Sequence, residues 1–204
     1  MAENPNLMED PYIGSISIKE LELEKEKRRK RKHLVIELGI YAIAILFAVF
    51  IVPRFILQRT IVMGSSMEST LQDGDNLWVE KISYHFEQLK RFDVIVFYPY
   101  GKDKSEYYIK RIIGLPGESV QIIGETIYIN GVPLSENYGK DPITNAGIAA
   151  EQIVLSEDEY FVLGDNRTIS KDSRDSQVGP VKEYNIAGRA FFRIWPFSKF
   201  GFFD

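Results

Sequence analysis

The feature that most constrains this chain is the apolar run LVIELGIYAIAILFAVFIVPRFIL, Leu34 to Leu57. Wound as a helix at ~1.5 Å per residue, its roughly 24 residues reach about 36 Å, enough to cross a hydrocarbon core of about 30 Å with some tilt. Its charged residues, Glu37 and Arg54, stand near the two ends. A buried helix of a soluble domain is rarely apolar on every face over such a length. A cleaved leader is the other candidate. The run is too long for one, and the bulky stretch PRFILQRTIVM stands where small residues would mark a cleavage site. The run reads as an uncleaved transmembrane helix, with Pro53 near enough to its far end to leave the span intact.

Just before it, KEKRRKRK (Lys25 to Lys32) places seven basic residues in eight positions. The positive-inside rule then puts the N-terminus in the cytoplasm and everything beyond about Arg59 outside. Three segments result: a polar and basic cytoplasmic segment at 1–33, a transmembrane helix at 34–57 and an extracytoplasmic domain at 58–204. The first 17 or so residues, with Pro5 and Pro11, have the composition of a disordered tail. The helix formers of KELELEKEKRRKRK predict a helix that runs on into the membrane. A net charge of −4 gives no reason to invoke nucleic acid. With no cysteine, disulfides and thiolate chemistry are excluded. The acidic residues are scattered, and no histidine–carboxylate spacing suggests a metal or cofactor site. Nothing in the sequence assigns an oligomeric state beyond a monomer.

After residue 58 the pattern changes to short runs of β-branched and aromatic residues punctuated by Gly, Pro and Asp. RTIVM, NLWVEKI, DVIVFYP, YYIKRIIG, SVQIIGETIYI, EYFVLGD and IAGRAFFRIWP read as strands. Asn130-Gly131 is a two-residue type I′ turn signal, and Gly124 marks an earlier turn or bulge. No strand alternates with a long amphipathic helix, so a parallel α/β sheet is excluded. The fold class is mainly β, an antiparallel domain behind one N-terminal helix.

Three clusters combine reactive side chains with turn glycines. In GSSMESTL (Gly64 to Leu71) a glycine permits a tight approach that could present a serine hydroxyl beside free backbone N–H groups. The same residues also suit a helix cap. Serine needs a base to attack an amide. The two histidines, His33 against the basic run and His85 in SYHFEQL, are poor material for a Ser-His-Asp triad. In YYIKRIIG, Lys110 would have a lowered pKa if it points inward among its apolar neighbours, although strand alternation equally allows Arg111 to be the buried member. GDNRTISKDSR (Gly164 to Arg174) supplies Ser170, Asp172 and Arg174, which read as a loop held by an Asp–Arg pair. Ser170 could also orient a neutral lysine amine.

Taken together the clusters resemble the type I signal peptidases, membrane-anchored serine proteases with a Ser-Lys dyad, closest to the single-span form of Gram-positive bacteria. GSSMESTL is similar to the family's GxSMxPTL, RFDVIVF to RxDVVVF, YYIKRIIGLPGE to YxKRxxGxPGD and GDNRTISKDSR to GDNRxxSxDSR. The resemblance implies Ser66 as nucleophile, Lys110 as general base, Ser170 as the hydroxyl that orients the lysine and Asp172–Arg174 as a brace. Gly64 stands where Gram-negative members carry an oxyanion-hole hydroxyl and Gram-positive members commonly have glycine. Met67, Leu71, Tyr108 and Ile109 would shape a pocket for a small side chain, and substrate would lie extended beside the strands around Asp93 and Tyr108. The implied partners are signal-peptide-bearing preproteins and the lipid bilayer of a bacterial cell membrane. A small second β region would occupy about 117–158.

Some features depart from this pattern or lie outside it. Ser69 stands where the family has proline, so the turn loses a rigid φ. GKDPITNAGIAAEQ reads as an exposed loop, and its small-residue stretch NAGIAA (Asn145 to Ala150) is a candidate for self-cleavage. The tail WPFSKFGFF could rest on a membrane surface or belong to the core. The rival readings are a non-catalytic membrane-anchored assembly factor or chaperone with the same groove, and a soluble Ser-Lys autoprotease of the LexA type. The latter lacks an anchor and carries a DNA-binding module.

Overall fold

The computed structural model describes residues 11–82 and 86–203, with side-chain burial described from residue 18 onward except at 52–55. The chain divides into two compact units, 1–51 and 52–204. In the first, helix α1 (Pro11–Leu46) is continuous and passes into a more widely wound helical segment, Phe47–Ile56. The basic run and the apolar run therefore lie on one helix, in keeping with the helix formers that precede the span. Residues 18–51 are long and apolar enough to cross a membrane and are not buried by the rest of the protein. His33 is exposed on α1, and His85 lies outside the described residues.

The second unit is antiparallel β, as the punctuated strand pattern predicts. Its strands are β1 (Leu57–Ile61), β2 (Asn76–Glu80), β3 (Val94–Phe97), β4 (Tyr108–Gly114), β5 (Ser119–Ile123) and β6 (Thr126–Ile129), followed by β7 (Val132–Pro133), β8 (Ile153–Val154), β9 (Glu159–Leu163), β10 (Val181–Lys182), β11 (Ile186–Trp195) and β12 (Gly201–Phe202). Among the described residues they form an eight-stranded sheet in the order β1-β2-β11-β3-β4-β9-β10, with β12 on β11, and a four-stranded sheet β7-β6-β5-β8. β11 is the organising strand, pairing with β2, β3 and β12. The small sheet spans Ser119 to Val154.

Side-chain alternation explains how the large sheet is filled. Val94 and Val96 of β3 enter one cluster with Met67, Leu71, Leu77 and Ile109, while Ile95 and Phe97 enter a second with Ile112, Tyr160 and Val162. VIVF is therefore unbroken apolar sequence because both faces of the strand are covered. A third cluster joins the sheets, with Ile113, Phe161 and Leu163 packed against Val120, Ile122, Ile127 and Ile129.

The hairpin turns follow their local chemistry. Asn130 and Gly131 both have positive φ, 52° and 77°, between the paired residues Ile129 and Val132, as a type I′ turn requires. Gly124 and Glu125 form the two-residue turn between β5 and β6. GKDPITNAGIAAEQ is exposed over most of its length, as expected, but is anchored at two points. Ile143 and Ala149 are buried in the cluster between the sheets, and Gly147–Ala150 winds into a 3-10 turn whose Ile148 N–H donates to the Arg174 carbonyl at 3.0 Å. In NAGIAA, Asn145, Gly147 and Ala150 are exposed, while the 3-10 turn and the buried Ala149 depart from the extended chain that a protease cleaves. In the tail, Trp195, Phe197, Phe200 and Phe202 are exposed, while Phe203 packs against the cluster that holds Met67 and Leu71.

Gly188, in the middle of β11, has no room for a side chain, since a Cβ there would lie 2.4 Å from the Glu80 carbonyl oxygen. Gly188→Ala is expected to destabilise the protein by about 2–3 kcal/mol, read as a lowered midpoint of urea unfolding for the full chain in detergent.

Candidate active site

Ser66 lies on a compact turn after β1. Gly64 adopts φ 85° with nothing within 4 Å of where a Cβ would stand, so the glycine serves conformation rather than space. Its N–H donates to Asp73 Oδ1 at 2.7 Å. The chain then coils on itself, with Glu68 N–H to Ser65 O at 3.1 Å and Leu71 N–H to Met67 O at 2.8 Å. Met67 and Leu71 anchor this turn in the core, at 1% and 0% exposure. Ser66 is left half-buried at the surface.

Lys110 sits on β4 directly opposite Ile95 of β3. Its side chain points inward and is 3% exposed. The Nζ is 2.7 Å from Ser66 Oγ and donates to the Ile109 carbonyl at 3.0 Å, with the Tyr108 ring centroid 5.2 Å away. Burial lowers its pKa from the usual lysine value to about 8, against the opposing pull of the Asp172 and Asp165 carboxylates. Alternation left open which of Lys110 and Arg111 is buried; both are.

Arg111 takes the opposite side of the strand and is fully buried. Its Nε and Nη2 donate to the two Asp165 oxygens at 3.0 and 2.8 Å, Nη2 also reaches Thr70 Oγ1 at 3.0 Å, and Nη1 donates to the Phe92 carbonyl at 2.9 Å. The guanidinium stacks 3.7 Å from the Tyr138 ring centroid. Thr70 Oγ1 in turn donates to Asp165 at 2.5 Å. The serine turn, the lysine strand and the Gly164–Asn166 turn thus meet on one side chain.

The third cluster closes the site from behind. Asn166 N–H donates to the Ser66 carbonyl at 3.0 Å. Gly164 is needed for space, because a Cβ would lie 2.1 Å from Ser170 Oγ and 2.5 Å from Ser66 O. Asp172 accepts from Arg174 Nε and Nη2 at 2.8 Å each and from Gly164 N–H at 3.0 Å. Ser170 differs from its sequence-derived role. Its Oγ is buried but has no hydrogen-bond partner, so in this arrangement it does not hold the lysine amine. Ile109 O does so instead.

The Ser66–Lys110 pair opens on a cleft of about 450 Å³. Met67, Tyr108 and Ile109 line it as the sequence implied, whereas Leu71 lies beneath the turn in the core. Asp93 is not on its wall. The Asp93 carbonyl accepts from Ile112 N–H and its carboxylate lies 3.5 Å from Arg189, because β3 has β4 on one side and β11 on the other. Sequence reasoning missed Val62, Met63, Tyr107, Ile169 and Lys171 as lining residues. It also missed Thr70, Asp165 and Arg111 as the clamp, although all three stood inside quoted stretches.

A hydroxyl in hydrogen-bond contact with a desolvated amine, at the rim of an apolar cleft, is chemically competent for nucleophile and base. The comparisons fit that class. Residues 35–195 match the family described as "Signal peptidase, peptidase S26". A signal peptidase I from Leptolyngbya laminosa is 43% identical over 156 residues, which cover 74% of this chain and 74% of that protein. Signal peptidase IB of Staphylococcus aureus strain Mu50 is 37% identical over 177 residues, 79% of this chain and 90% of that protein. The crystal structure of a signal peptidase I from Enterococcus faecalis V583 aligns with a TM-score of 0.42 at 37% identity, over 50% of this chain and 97% of that one. The chain belongs to the signal peptidase family, peptidase S26, and is a serine endopeptidase.

Ser69, in place of the family's proline, adopts φ 67°. A proline ring would hold φ near −65° and could not enter this turn as it stands. Ser69→Pro is therefore expected to lower stability by about 2 kcal/mol, while Ser69→Gly, which suits a positive φ, stays within about 1 kcal/mol of the parent. Thermal unfolding of the three proteins side by side checks the order.

Proposed function

We propose that this chain is a membrane-anchored endopeptidase that removes signal peptides from exported preproteins, with Ser66 as nucleophile and neutral Lys110 as general base. The observation that carries the reading is the 2.7 Å contact between Lys110 Nζ and Ser66 Oγ, made by an amine that is 3% exposed. The apolar α1 segment supports anchoring, and the basic residues on its N-terminal side favour a cytoplasmic N-terminus with the β unit outside. The exposed Trp195, Phe197, Phe200 and Phe202 suit the interfacial zone of the same bilayer.

In the proposed cycle the Ser66 hydroxyl gives its proton to Lys110 as Oγ bonds to the scissile carbonyl carbon. The resulting oxyanion is within reach of the Ser66 N–H, which makes no protein hydrogen bond among the described residues. Lys110 then protonates the departing amine as the C–N bond breaks. The acyl ester is cleared when Lys110 takes a proton from water and returns it to Ser66 Oγ as that bond breaks. Substrate has an open edge to pair with: β4 pairs with β9 only from Arg111 onward, leaving Tyr108, Ile109 and Lys110 without a strand partner on the cleft side among the described residues. The shallow apolar floor of Met67 and Ile109 suits a small residue before the scissile bond.

Ser66→Ala and Lys110→Ala should each fold, by far-UV circular dichroism, yet lose at least about 1,000-fold in cleavage of a precursor with an Ala-x-Ala site. Comparable turnover by either variant contradicts the dyad. Because the protonated amine is inert and its pKa lies at about 8, kcat/KM should rise about tenfold between pH 7 and pH 9 and then level. A profile flat across that range contradicts the role given to Lys110.

A further inference from the structure

Among the described residues that line the cleft, Lys171 is a cation that the proposed chemistry leaves unused. It lines the same cleft as Ser66 and Lys110 and is half-buried. Its ammonium is fixed rather than free to swing, donating to Tyr100 OH at 2.8 Å and Gln177 Oε1 at 2.7 Å, with the Tyr100 ring 5.5 Å away. Both partners are neutral, and one of its three N–H donors remains. The buried arginines around the site are different, since Arg111, Arg167 and Arg174 each hold a carboxylate, Asp165, Glu136 and Asp172. Among the described residues no carboxylate forms an ion pair with Lys171.

The position relative to the reaction follows from contacts. Lys110 Nζ is 5.2 Å from the Tyr108 ring, Tyr108 OH is 3.5 Å from Tyr100 OH, and Tyr100 OH is 2.8 Å from Lys171 Nζ. At ~3.3 Å per residue an extended peptide passing Ser66 brings residues within a few places of the scissile bond beside this ammonium. Glu106 also lines the cleft with opposite charge, exposed on the segment leading into β4 and interacting with the Tyr108 hydroxyl. A held cation that no carboxylate pairs with directly among the described residues attracts an anion in this cleft without having to reorganise, although Asp175 and Glu106 act on it from farther away.

We propose that Lys171 is a specificity-determining residue that favours substrates carrying Asp or Glu, and disfavours those carrying Lys or Arg, at a position within about three residues of the scissile bond. The proposal rests on the assignment of this cleft as the peptide-binding site. It is tested with the full chain in detergent and paired peptides that differ only by Asp or Lys, scanned over the three positions on each side of the bond. The readout is the Asp-to-Lys ratio of kcat/KM at each position. The parent should show a ratio of about three- to tenfold at one or two positions. Lys171→Met should bring that ratio close to the one set by Glu106 and the remaining charges, and Lys171→Glu should invert it. A parent ratio near one throughout, or a ratio that Lys171→Met and Lys171→Glu leave unchanged, overturns the proposal. Failure of the dyad is read separately, as persistent cleavage by Ser66→Ala on a neutral peptide.

Discussion

The buried guanidinium of Arg111 is the interaction on which the rest of the site depends. It joins Asp165, Thr70 and the Phe92 carbonyl and stacks on Tyr138, so four separate stretches of chain converge on one planar group. An arginine fork suits this role because its donors point in fixed directions and its charge cannot be lost to deprotonation. Removing one partner would leave the other charge buried and unpaired, a cost of several kcal/mol. Arg193 adds a second tie, donating to the Thr70 carbonyl from β11. Neighbouring positions on β4 thereby divide the labour: Arg111 cross-links on one side of the strand, and Lys110 projects from the other.

That division accounts for the electrostatics around Lys110. The nearby carboxylates Asp165 and Asp172 would hold a proton on the amine if they were uncommitted. Each instead accepts from an arginine, Asp165 from Arg111 and Asp172 from Arg174, so desolvation is the larger influence and the amine is less basic than an ordinary lysine. Close approach is secured by the backbone as well. The Asn166 N–H holds the Ser66 carbonyl, and the missing side chain of Gly164 lets that carbonyl and Ser170 pack together. Lys171, one residue beyond Ser170, is held by Tyr100 and Gln177 without a direct ion pair among the described residues, and its place in the cleft gives it the proposed role toward substrate.

Much of this was legible in the residues. The antiparallel class followed from short β-branched runs between Gly, Pro and Asp, and the turn at Asn130-Gly131 from its local preference for positive φ. Ser66 and Lys110 were singled out by a turn glycine, a strand lysine in apolar company and the resemblance of four stretches in order. What escaped reading depended on distant parts of the chain. Ile143 and Ala149 look like loop residues until the two sheets meet around them. Leu71 looks like pocket lining until the turn carries it under Ser66. The left-handed φ of Ser69 and the unpartnered hydroxyl of Ser170 are set by packing, which no local pattern encodes. The two-residue strands β7, β8, β10 and β12 are too short to leave a periodic signal.

A desolvated lysine in contact with a serine hydroxyl is the centre of this account, and its protonation is directly measurable. Lysine labelled with 13C at Cε gives a shift that reports the charge on each amine, and the Lys110 signal is assigned as the one absent from Lys110→Met. Followed against pH in the full chain in detergent, that signal is expected to titrate with a midpoint near 8. A midpoint near 10.5, the ordinary lysine value, would leave fewer than about one amine in a thousand neutral at pH 7, too few to serve as the base, and would contradict the account.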